Sequence, residues 1–422
     1  MEENILVRRS SPPRGHVKID GAKNSALPLL AASLLGTEEI ILEDVPQLVD
    51  VGVMIEVLKH LGSKVEYIDE GTLRINSREI NSYQTPYDLM DKMRASFLVM
   101  GPLLARLGRT QTVMPGGCAI GARPVDLHLK GFHGLGAEID TDTSVIGAHA
   151  KEGLIGDVVY LDFPSVGATQ NIMMAAVQAK GTSTIENAAK EPEIVDLANF
   201  LNKMGAKVRG AGTSTIKIEG VEKLTGTRHQ IIPDRIEAST FLVASAINKG
   251  DIVVENVISS HIKPVIAKLK EMGCEIDENE EKDEISIKGP DLILPTNIKT
   301  MPYPGFPTDC QAQFMALMAV AKGSSKVEET VFENRFMHVD ELIKMGAVIA
   351  TEGKEARIAG VDMLKGAQVR ATDLRAGAAL VLAGTVAEGQ TEVYDIYHID
   401  RGYYNFVEKL NGIGIDAERI GK

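Results

Sequence analysis

The sequence predicts an α/β fold built from six copies of one α-β-α-β-β unit, grouped as two domains of three copies each. The main observation is a turn pattern that recurs along the chain: Leu or Met, then Gly, a small residue, any residue, and Val or Ile. The pattern is weakest in its last copy. Its glycines are 68 to 74 residues apart, a period that indicates one supersecondary unit per copy. They are Gly62, Gly136, Gly205, Gly273, Gly346 and Gly414.

A second glycine precedes each of these turns and marks the end of the first segment of the copy. In five of the six copies, Ile or Val follows this glycine four residues later, which predicts a strand. The six glycines are Gly36, Gly108, Gly181, Gly250, Gly323 and Gly389.

The first segment of each copy is apolar on nearly all sides, and a helix without a polar face is a buried helix. We therefore expect these helices at the centre of each domain, with the sheets facing outward. The segments are 27–35, 97–107, 172–179, 241–247, 314–321 and 376–387.

The remaining elements of a copy follow in a fixed order. A short strand rich in β-branched residues, such as Asp251–Glu255, comes after the first glycine. An amphipathic helix follows, as in 51–60 and 193–204, and the glycine turn ends it. One or two strands, such as Glu284–Lys288, close the copy.

Composition excludes several classes of protein. The 422 residues carry a net charge of −13, which argues against a nucleic-acid partner held through its phosphates. No apolar run approaches the length of a membrane span, and the acidic start does not resemble a secretory signal. Three cysteines fit a reducing compartment, so we expect a cytoplasmic protein without a disulfide framework.

The stretch 114–126 is the strongest candidate for chemistry. It contains three glycines, two prolines and Cys118, so it is neither regular helix nor regular strand. It also lies in the longest of the six connections between paired glycines, where sister copies carry acidic residues or Asn. Arg123 would favour a thiolate at Cys118 and attract an anion. The residues alone leave open a plain turn in which Cys118 is a small hydrophobic residue.

Basic residues stand at the predicted starts of four buried helices: Lys23, Arg94, Arg235 and Arg375. A helix N-terminus already carries partial positive charge, so a cation there needs an anionic ligand or a carboxylate partner. Both explanations remain open from the sequence. Cys274 and Cys310 are predicted to be core residues. No cluster has metal-ligand spacing and no dinucleotide or Walker motif is present, so neither metal nor cofactor is expected.

Eight motifs are distinctive: 21–24, 115–118, 123–126, 163–169, 234–238, 306–309, 332–336 and 398–402. Together they resemble one family, the UDP-N-acetylglucosamine enolpyruvyl transferases, almost from end to end. The sister family that acts on shikimate 3-phosphate shares the six-copy fold and is not known for the cysteine loop. Two positions depart from the expected pattern, Gln170 and Tyr404, where Glu is expected.

The resemblance implies an inside-out α/β barrel, the enolpyruvyl transferase fold. Domain I would comprise residues 23–232 and carry the Cys118 loop. Domain II would comprise residues 1–22 and 233–422, and the active site would lie in the cleft between the two domains. The implied reaction moves the enolpyruvyl group of phosphoenolpyruvate to the 3-hydroxyl of UDP-N-acetylglucosamine and releases phosphate, the first committed step of peptidoglycan synthesis.

The resemblance also implies roles for individual residues. Cys118 would be the general acid, the site of a covalent adduct and the target of fosfomycin-type inhibitors, and Asp309 would accept the proton of the attacking hydroxyl. Phosphoenolpyruvate would be held by Lys23, Asn24, Arg123 and Arg401, of which Lys23 and Arg401 also count as catalytic. UDP-N-acetylglucosamine would be bound by Arg94, Arg123, Pro124, Val125, Asp126, Leu127, Ser165, Val166, Gly167, Asp309 and Val331.

Two other functions compete with this one. The first is a transferase of the shikimate type, and the second is a non-catalytic paralogue that senses the UDP-sugar.

Overall fold

The chain folds into two compact lobes. The computed structural model describes residues 3–86, 88–89, 94–113, 125–141 and 145–421, and for residues 94–96 it describes the backbone alone. Within these ranges, the first lobe contains residues 21–113 and 125–232, and the second contains residues 3–20 and 233–421. Most of the predicted catalytic stretch, residues 114–124, lies outside the described residues.

Short strands occur throughout both lobes. They are β1 Glu3–Arg8, β2 Arg14–Lys18, β3 Ile40–Glu43, β4 Lys64–Asp69, β5 Thr72–Asn76, β6 Arg109–Val113, β7 Glu138–Thr141, β8 Val145–His149, β9 Val158–Tyr160, β10 Thr182–Glu186, β11 Lys207–Arg209, β12 Thr215–Glu219, β13 Thr227–Gln230, β14 Asp251–Glu255, β15 Glu275–Asn279, β16 Glu284–Lys288, β17 Asn297–Lys299, β18 Ser324–Glu328, β19 Val348–Glu352, β20 Glu355–Ala359, β21 Gln368–Arg370, β22 Gln390–Tyr394 and β23 Ala417–Gly421.

Helices alternate with these strands. The α-helices are α1 Lys23–Ala32, α2 Val49–His60, α3 Met100–Leu107, α4 Asp126–Gly134, α5 Val166–Ala176, α6 Pro192–Lys203, α7 Arg235–Ile247, α8 Lys263–Glu271, α9 Gln311–Met318, α10 Val339–Lys344, α11 Leu374–Gly384, α12 Tyr397–Asp400 and α13 Phe406–Gly412. Short 3₁₀ helices are Ser33–Leu35, Arg94–Val99, Ser259–Ile262 and Thr308–Cys310.

The first helix of each copy is buried, as the sequence predicts. In the second lobe α7, α9 and α11 pack against one another, and all of their residues except Arg235 and Leu374 are buried. In the first lobe α3 packs on α5, and the 3₁₀ helix Arg94–Val99 contacts both α1 and α5. Strands such as β12 alternate exposed and buried residues, so the sheets cover the helices with one face and meet solvent with the other. The predicted α/β fold is therefore confirmed.

The described residues form six sheets, and five of them share one strand order. In each, the strand that follows the buried helix pairs with an antiparallel strand on one side and with a short parallel strand on the other. The short strands β9, β13, β17 and β21 have three or four residues each. The α-β-α-β-β prediction missed them because three residues are too few for an alternating pattern to be recognised. The sheets are β13-β3-β5-β4, β11-β12-β10-β9, β15-β16-β14-β2, β17-β18-β20-β19, β21-β22-β1-β23 and the three-stranded β6-β8-β7.

The N-terminal strands complete two sheets of the second lobe. β2 pairs in parallel with β14 and takes the place of the short strand in the fourth copy. β1 lies between β22 and β23 in the sixth copy, where the other copies have a strand from their own hairpin. The chain crosses between the lobes at Asp20–Gly21 and again at Ile232–Pro233.

The six turn glycines have the backbone conformation that explains their recurrence. Their φ angles all lie between +86° and +105°, a region that residues with a Cβ atom rarely adopt. Each glycine ends the helix before it and turns the chain into the next strand. Within the described residues, no helix has both the length and the apolar composition that a membrane crossing requires.

Candidate active site

Asp309 is a carboxylate held by two buried arginines. Its Oδ1 accepts a hydrogen bond from Arg335 Nη2 at 2.9 Å, and its Oδ2 lies 3.4 Å from Arg375 Nη2. The two arginine side chains are 4% and 3% exposed, whereas the Asp309 side chain is 27% exposed. The arginines are thus fixed inside the lobe, and the carboxylate presents its edge to solvent.

Three local structures bring these residues together. Asp309 lies in the 3₁₀ turn that leads into α9. Arg375 is the second residue of α11, whose N-terminus is capped by the Asp373 side chain through the backbone N–H groups of Arg375 and Ala376. Arg335 comes from the segment between β18 and α10. The carboxylate therefore sits at a helix start and faces the start of a second helix, an environment that favours negative charge.

Further polar side chains hold Arg375 and the Asp309 turn in place. The Arg375 guanidinium lies 5.3 Å from the centre of the Tyr403 ring. Burial alone would lower the pKa of Arg375, but Tyr403 and Asp309 raise it, so the guanidinium stays charged. Gln313 donates to the Asp309 backbone carbonyl at 3.0 Å and to Thr240 Oγ1 at 3.1 Å. This packing limits the rotamers available to the three charged groups.

Lys23 forms a second buried pair, in the first lobe. It is the first residue of α1, and its Nζ lies 2.8 Å from Asp50 Oδ2 in the first turn of α2. The side chains are 10% and 4% exposed. The neighbouring Asn24 is exposed. The sequence left two explanations for a basic residue at a helix start, an anionic ligand or a carboxylate partner. Lys23 and Arg375 each have a carboxylate partner, Asp50 and Asp309 respectively.

The other two basic helix starts have different surroundings. Arg235 begins α7, and its guanidinium lies 5.7 Å from the centre of the Tyr303 ring. Arg94 begins a 3₁₀ helix, and its side chain is outside the described residues.

The structure brings together two of the segments predicted to bind the UDP-sugar, both in the first lobe. Val125, Asp126 and Leu127 lie at the start of α4, and Ser165, Val166 and Gly167 at the start of α5, with Ser165 Oγ accepting from the Ala168 N–H. The two helices pack together, and a Cβ atom on Gly167 would come within 3.3 Å of the His128 ring. Backbone N–H groups at two neighbouring helix starts are suited to an anionic group such as a diphosphate.

His128 is the residue that joins these two segments. Its Nδ1 lies 3.0 Å from Asn171 Nδ2, and the Asn171 Oδ1 accepts from the Gly101 N–H. Because the Asn171 amide nitrogen donates, Nδ1 accepts, so the ring proton of the neutral form is on Nε2. Burial lowers the pKa of His128 to about 4. A neutral imidazole therefore packs between the two helix starts.

The remaining described site residues lie in the second lobe. Val331 follows β18, and its N–H donates to Glu329 Oε1 at 2.8 Å. Arg401 follows α12, which packs on α11. Burial and the nearby Arg401 both lower the pKa of His398, so this ring adds no charge beside Arg401.

The structure describes two of the three cysteines. Cys118, together with Arg123 and Pro124, lies outside the described residues. Cys274 and Cys310 are buried, as predicted, and burial raises the pKa of each thiol to about 12. Both are therefore unreactive at neutral pH.

Sequence reasoning missed two members of these clusters. Asp50 and Arg335 received no role, although Arg335 lies inside a family motif at 332–336. Their burial is the signal that identifies them, because ionised side chains are rarely buried without a partner. That signal is tertiary. An Asp in the first turn of a helix and an Arg in a loop are ordinary in sequence.

Comparisons with known proteins agree with this architecture. The family model described as EPSP synthase (3-phosphoshikimate 1-carboxyvinyltransferase) matches residues 7–410. Among solved structures, the enolpyruvyl transferase NikO from Streptomyces tendae superposes with a TM-score of 0.89 at 23% identity, covering 99% of both chains. An EPSP synthase from Acinetobacter baumannii superposes with a TM-score of 0.77 at 18% identity, covering 100% of both. These structures share the fold.

Curated relatives are much closer in sequence. The UDP-N-acetylglucosamine 1-carboxyvinyltransferase of Finegoldia magna is 68% identical over 418 residues, 99% of each chain. UDP-N-acetylglucosamine 1-carboxyvinyltransferase 1 of Caldanaerobacter subterraneus subsp. tengcongensis is 61% identical over 419 residues, which cover 99% of this chain and 100% of that one. The family resemblance found in the sequence is confirmed. The chain belongs to the UDP-N-acetylglucosamine 1-carboxyvinyltransferase family of enolpyruvyl transferases.

Proposed function

We propose that this protein transfers the enolpyruvyl group of phosphoenolpyruvate to the 3-hydroxyl of UDP-N-acetylglucosamine and releases phosphate. The observation that carries the proposal is near-full-length identity, 54–68%, to four relatives that bear the name of this activity. The partly exposed Asp309 carboxylate, held by two fixed arginines, supports it independently, because a proton acceptor must be both oriented and accessible.

The proposed reaction is an addition followed by an elimination. In the addition, Asp309 takes the proton of the sugar 3-hydroxyl while the hydroxyl oxygen bonds to C2 of phosphoenolpyruvate. Cys118 gives a proton to the C3 methylene. In the elimination, C3 gives a proton to the Cys118 thiolate and the double bond re-forms, while phosphate leaves from C2 with the proton that Asp309 accepted. Each step thus moves one proton onto or off the substrate carbon, and neither requires a redox partner.

Fixed cations supply the other requirement of this chemistry. Both substrates are anionic, and charge shifts among phosphate, carboxylate and hydroxyl during the addition. We assign Lys23, Asn24, Arg123 and Arg401 to phosphoenolpyruvate. Arg94, residues 123–127, residues 165–167, Asp309 and Val331 are assigned to the UDP-sugar. The net charge of −13 makes such local clusters necessary for binding anions.

Phosphate release tests the proposal. Wild-type protein is mixed with phosphoenolpyruvate and either UDP-N-acetylglucosamine or shikimate 3-phosphate, with Cys118→Ala measured in parallel. We expect the wild-type protein to release phosphate when UDP-N-acetylglucosamine is the acceptor and not when shikimate 3-phosphate is. We expect Cys118→Ala to release phosphate much more slowly. Release with shikimate 3-phosphate alone would favour the sister activity. Tight binding of the UDP-sugar without turnover would favour a sensing paralogue.

A thiol-directed inhibitor gives a second test. An epoxide-phosphonate of the fosfomycin type should add one adduct, at Cys118, in the presence of the UDP-sugar. Cys274 and Cys310, with pKa values near 12, serve as internal controls that stay unmodified. Intact mass and peptide mapping measure both. A folded protein without an adduct at Cys118 would contradict the assignment.

The cellular setting follows from the proposed reaction. An enzyme with these substrates would act in the cytoplasm at the first committed step of peptidoglycan synthesis, and cell shape and division would depend on it.

A further inference from the structure

A buried carboxylate stands beside the Asp309 turn and has no assigned role. The Glu329 side chain follows β18 and is 1% exposed. Four donors surround it. Oε1 accepts from Thr300 Oγ1 at 2.8 Å, from the Val331 N–H at 2.8 Å and from the Phe332 N–H at 3.1 Å. Oε2 accepts from Thr308 Oγ1 at 3.0 Å.

These four bonds join two segments that the proposed reaction uses. Thr308 immediately precedes Asp309 in the same 3₁₀ turn. Val331 and Phe332 form the loop assigned to the UDP-sugar. The Thr308 hydroxyl has one hydrogen-bond partner in the described structure, and that partner is Glu329. A single carboxylate therefore fixes the position of both segments relative to the end of β18.

The repeat shows that Glu329 departs from its sister copies. In copies one, three and four the strand after the buried helix is followed by Asp44, Asn187 or Asn256, each with φ of 56°. In each, the N–H of the next residue then donates to a hairpin carbonyl, and these next residues are the buried and apolar Val45, Ala188 and Val257.

In the fifth copy the left-handed residue is missing. Glu329 follows the strand directly, and its own N–H donates to the Lys354 carbonyl at 2.8 Å. Counted from the second glycine of its copy, Glu329 takes the place of Asn187 and Asn256. Its N–H, however, makes the hairpin bond that the buried Ala188 and Val257 make in those copies. Burying a carboxylate is costly unless hydrogen bonds compensate, so the replacement is not explained by packing. A copy that breaks its own repeat next to a reactive group is best explained by that group.

We propose that Glu329 is a positioning residue that fixes the Asp309 turn and the Val331 loop for the transfer reaction. The inference rests on the proposed function, because Asp309 and Val331 owe their roles to it. Glu329 itself does not contact the reacting atoms in this proposal. Its effect on the rate arises from holding the proton acceptor in place, where a displacement of about 1 Å can cost roughly a hundredfold in rate.

Steady-state kinetics of Glu329→Ala and Glu329→Gln test the proposal. Glu329→Ala releases both segments, so we expect kcat to fall by roughly 100-fold and KM for UDP-N-acetylglucosamine to rise, with KM for phosphoenolpyruvate unchanged. Glu329→Gln keeps the shape, its amide oxygen can still accept, and its amide nitrogen can donate to Thr308. It should therefore recover kcat to within about tenfold of wild type.

Thr308→Val tests the bond to the Asp309 turn separately from the bonds to the Val331 loop. It also keeps the proposal testable if Glu329→Ala does not fold. It removes the bond to the Asp309 turn and leaves the Val331 loop held, so kcat should fall by about tenfold with KM for the UDP-sugar unchanged. The matched control is Thr391→Val. Thr391 lies in the second lobe and is fully buried, and its hydroxyl makes no hydrogen bond within the described structure. This control should keep wild-type kinetics.

The outcomes are distinguishable. A lower melting temperature with wild-type kcat and KM in Thr308→Val and both Glu329 variants would make Glu329 purely structural and overturn the inference alone. A wild-type protein that releases no phosphate with the UDP-sugar would overturn the proposed function, and the inference with it.

Discussion

Two buried ion pairs, one in each lobe, look alike in sequence and differ in what they expose. In the first lobe Lys23 starts α1 and pairs with Asp50, and both side chains are at least nine-tenths buried. In the second lobe Arg375 follows the corresponding start of α11 and pairs with Asp309, which is 27% exposed. The first pair is closed on both sides. In the second pair, the Arg375 side chain is buried and the Asp309 carboxylate is partly exposed to solvent.

The difference indicates different chemistry. A closed pair keeps a cation charged and oriented, which suits a group that holds an anion. An exposed carboxylate backed by two fixed arginines suits a group that exchanges a proton with a substrate. The comparison therefore predicts that changes at Asp309 act on turnover and that changes at Asp50 act on stability and on binding.

The largest expected effect is that of Asp309→Asn on turnover. The amide keeps the shape of the side chain but cannot accept the hydroxyl proton, so kcat should fall by about 10²- to 10⁴-fold. Phosphate release under saturating substrates measures this, with binding of the UDP-sugar as the control for a formed site. A kcat within threefold of wild type would remove Asp309 from the role of proton acceptor.

Asp50→Asn should act mainly on the free energy of unfolding. It removes the carboxylate that pairs with the buried Lys23 cation, and breaking a buried pair by removing one partner costs about 3–5 kcal/mol. Urea unfolding measures the loss. The double variant Lys23→Met with Asp50→Asn should recover most of the stability, because no charge remains buried, yet still bind phosphoenolpyruvate poorly. If Asp50→Asn is as stable as wild type, the Lys23–Asp50 pair is not formed and buried in solution.

The smallest expected effect concerns pH and one histidine in each lobe, His128 and His338. Burial lowers the pKa of His128 and of His338 to about 4. The unfolded chain, with a histidine pKa near 6.5, binds more protons between pH 6.5 and 4, so stability falls as pH falls through this window. Each histidine contributes at most about 3 kcal/mol to that loss.

Melting temperature measured from pH 7 to pH 4 checks this prediction. His128→Phe and His338→Phe should each flatten the dependence. A wild-type profile that is flat between pH 6.5 and 4 would contradict the neutral state of both rings.

Much of the fold was predictable because it depends on local patterns. Helices apolar on all sides must be buried wherever they lie, and the glycine of each of the six turns is required by a positive φ at that residue alone. The burial of Cys274 and Cys310 follows from the same repeat. Such features need only the residues within one or two turns of the chain.

The short parallel strands and the places of β1 and β2 were not predictable in the same way. A strand of three residues has no periodicity to detect, and its existence depends on the strand beside it. The sequence by itself, through its motifs, identified the family and the six copies, and it predicted the residues of the site, among them Lys23 and Asp309.

Only the tertiary structure decided how those residues are held. Asp309 meets Arg375 from 66 residues away and Arg335 from 26 residues away, and Glu329 reaches Thr308 across 21 residues. The periodicity of a helix or strand indicates which of its apolar residues are buried, but it does not indicate that a charged residue such as Asp50 or Arg335 is buried. The partner of a buried charge is set by which elements pack together, and no spacing within one element records that.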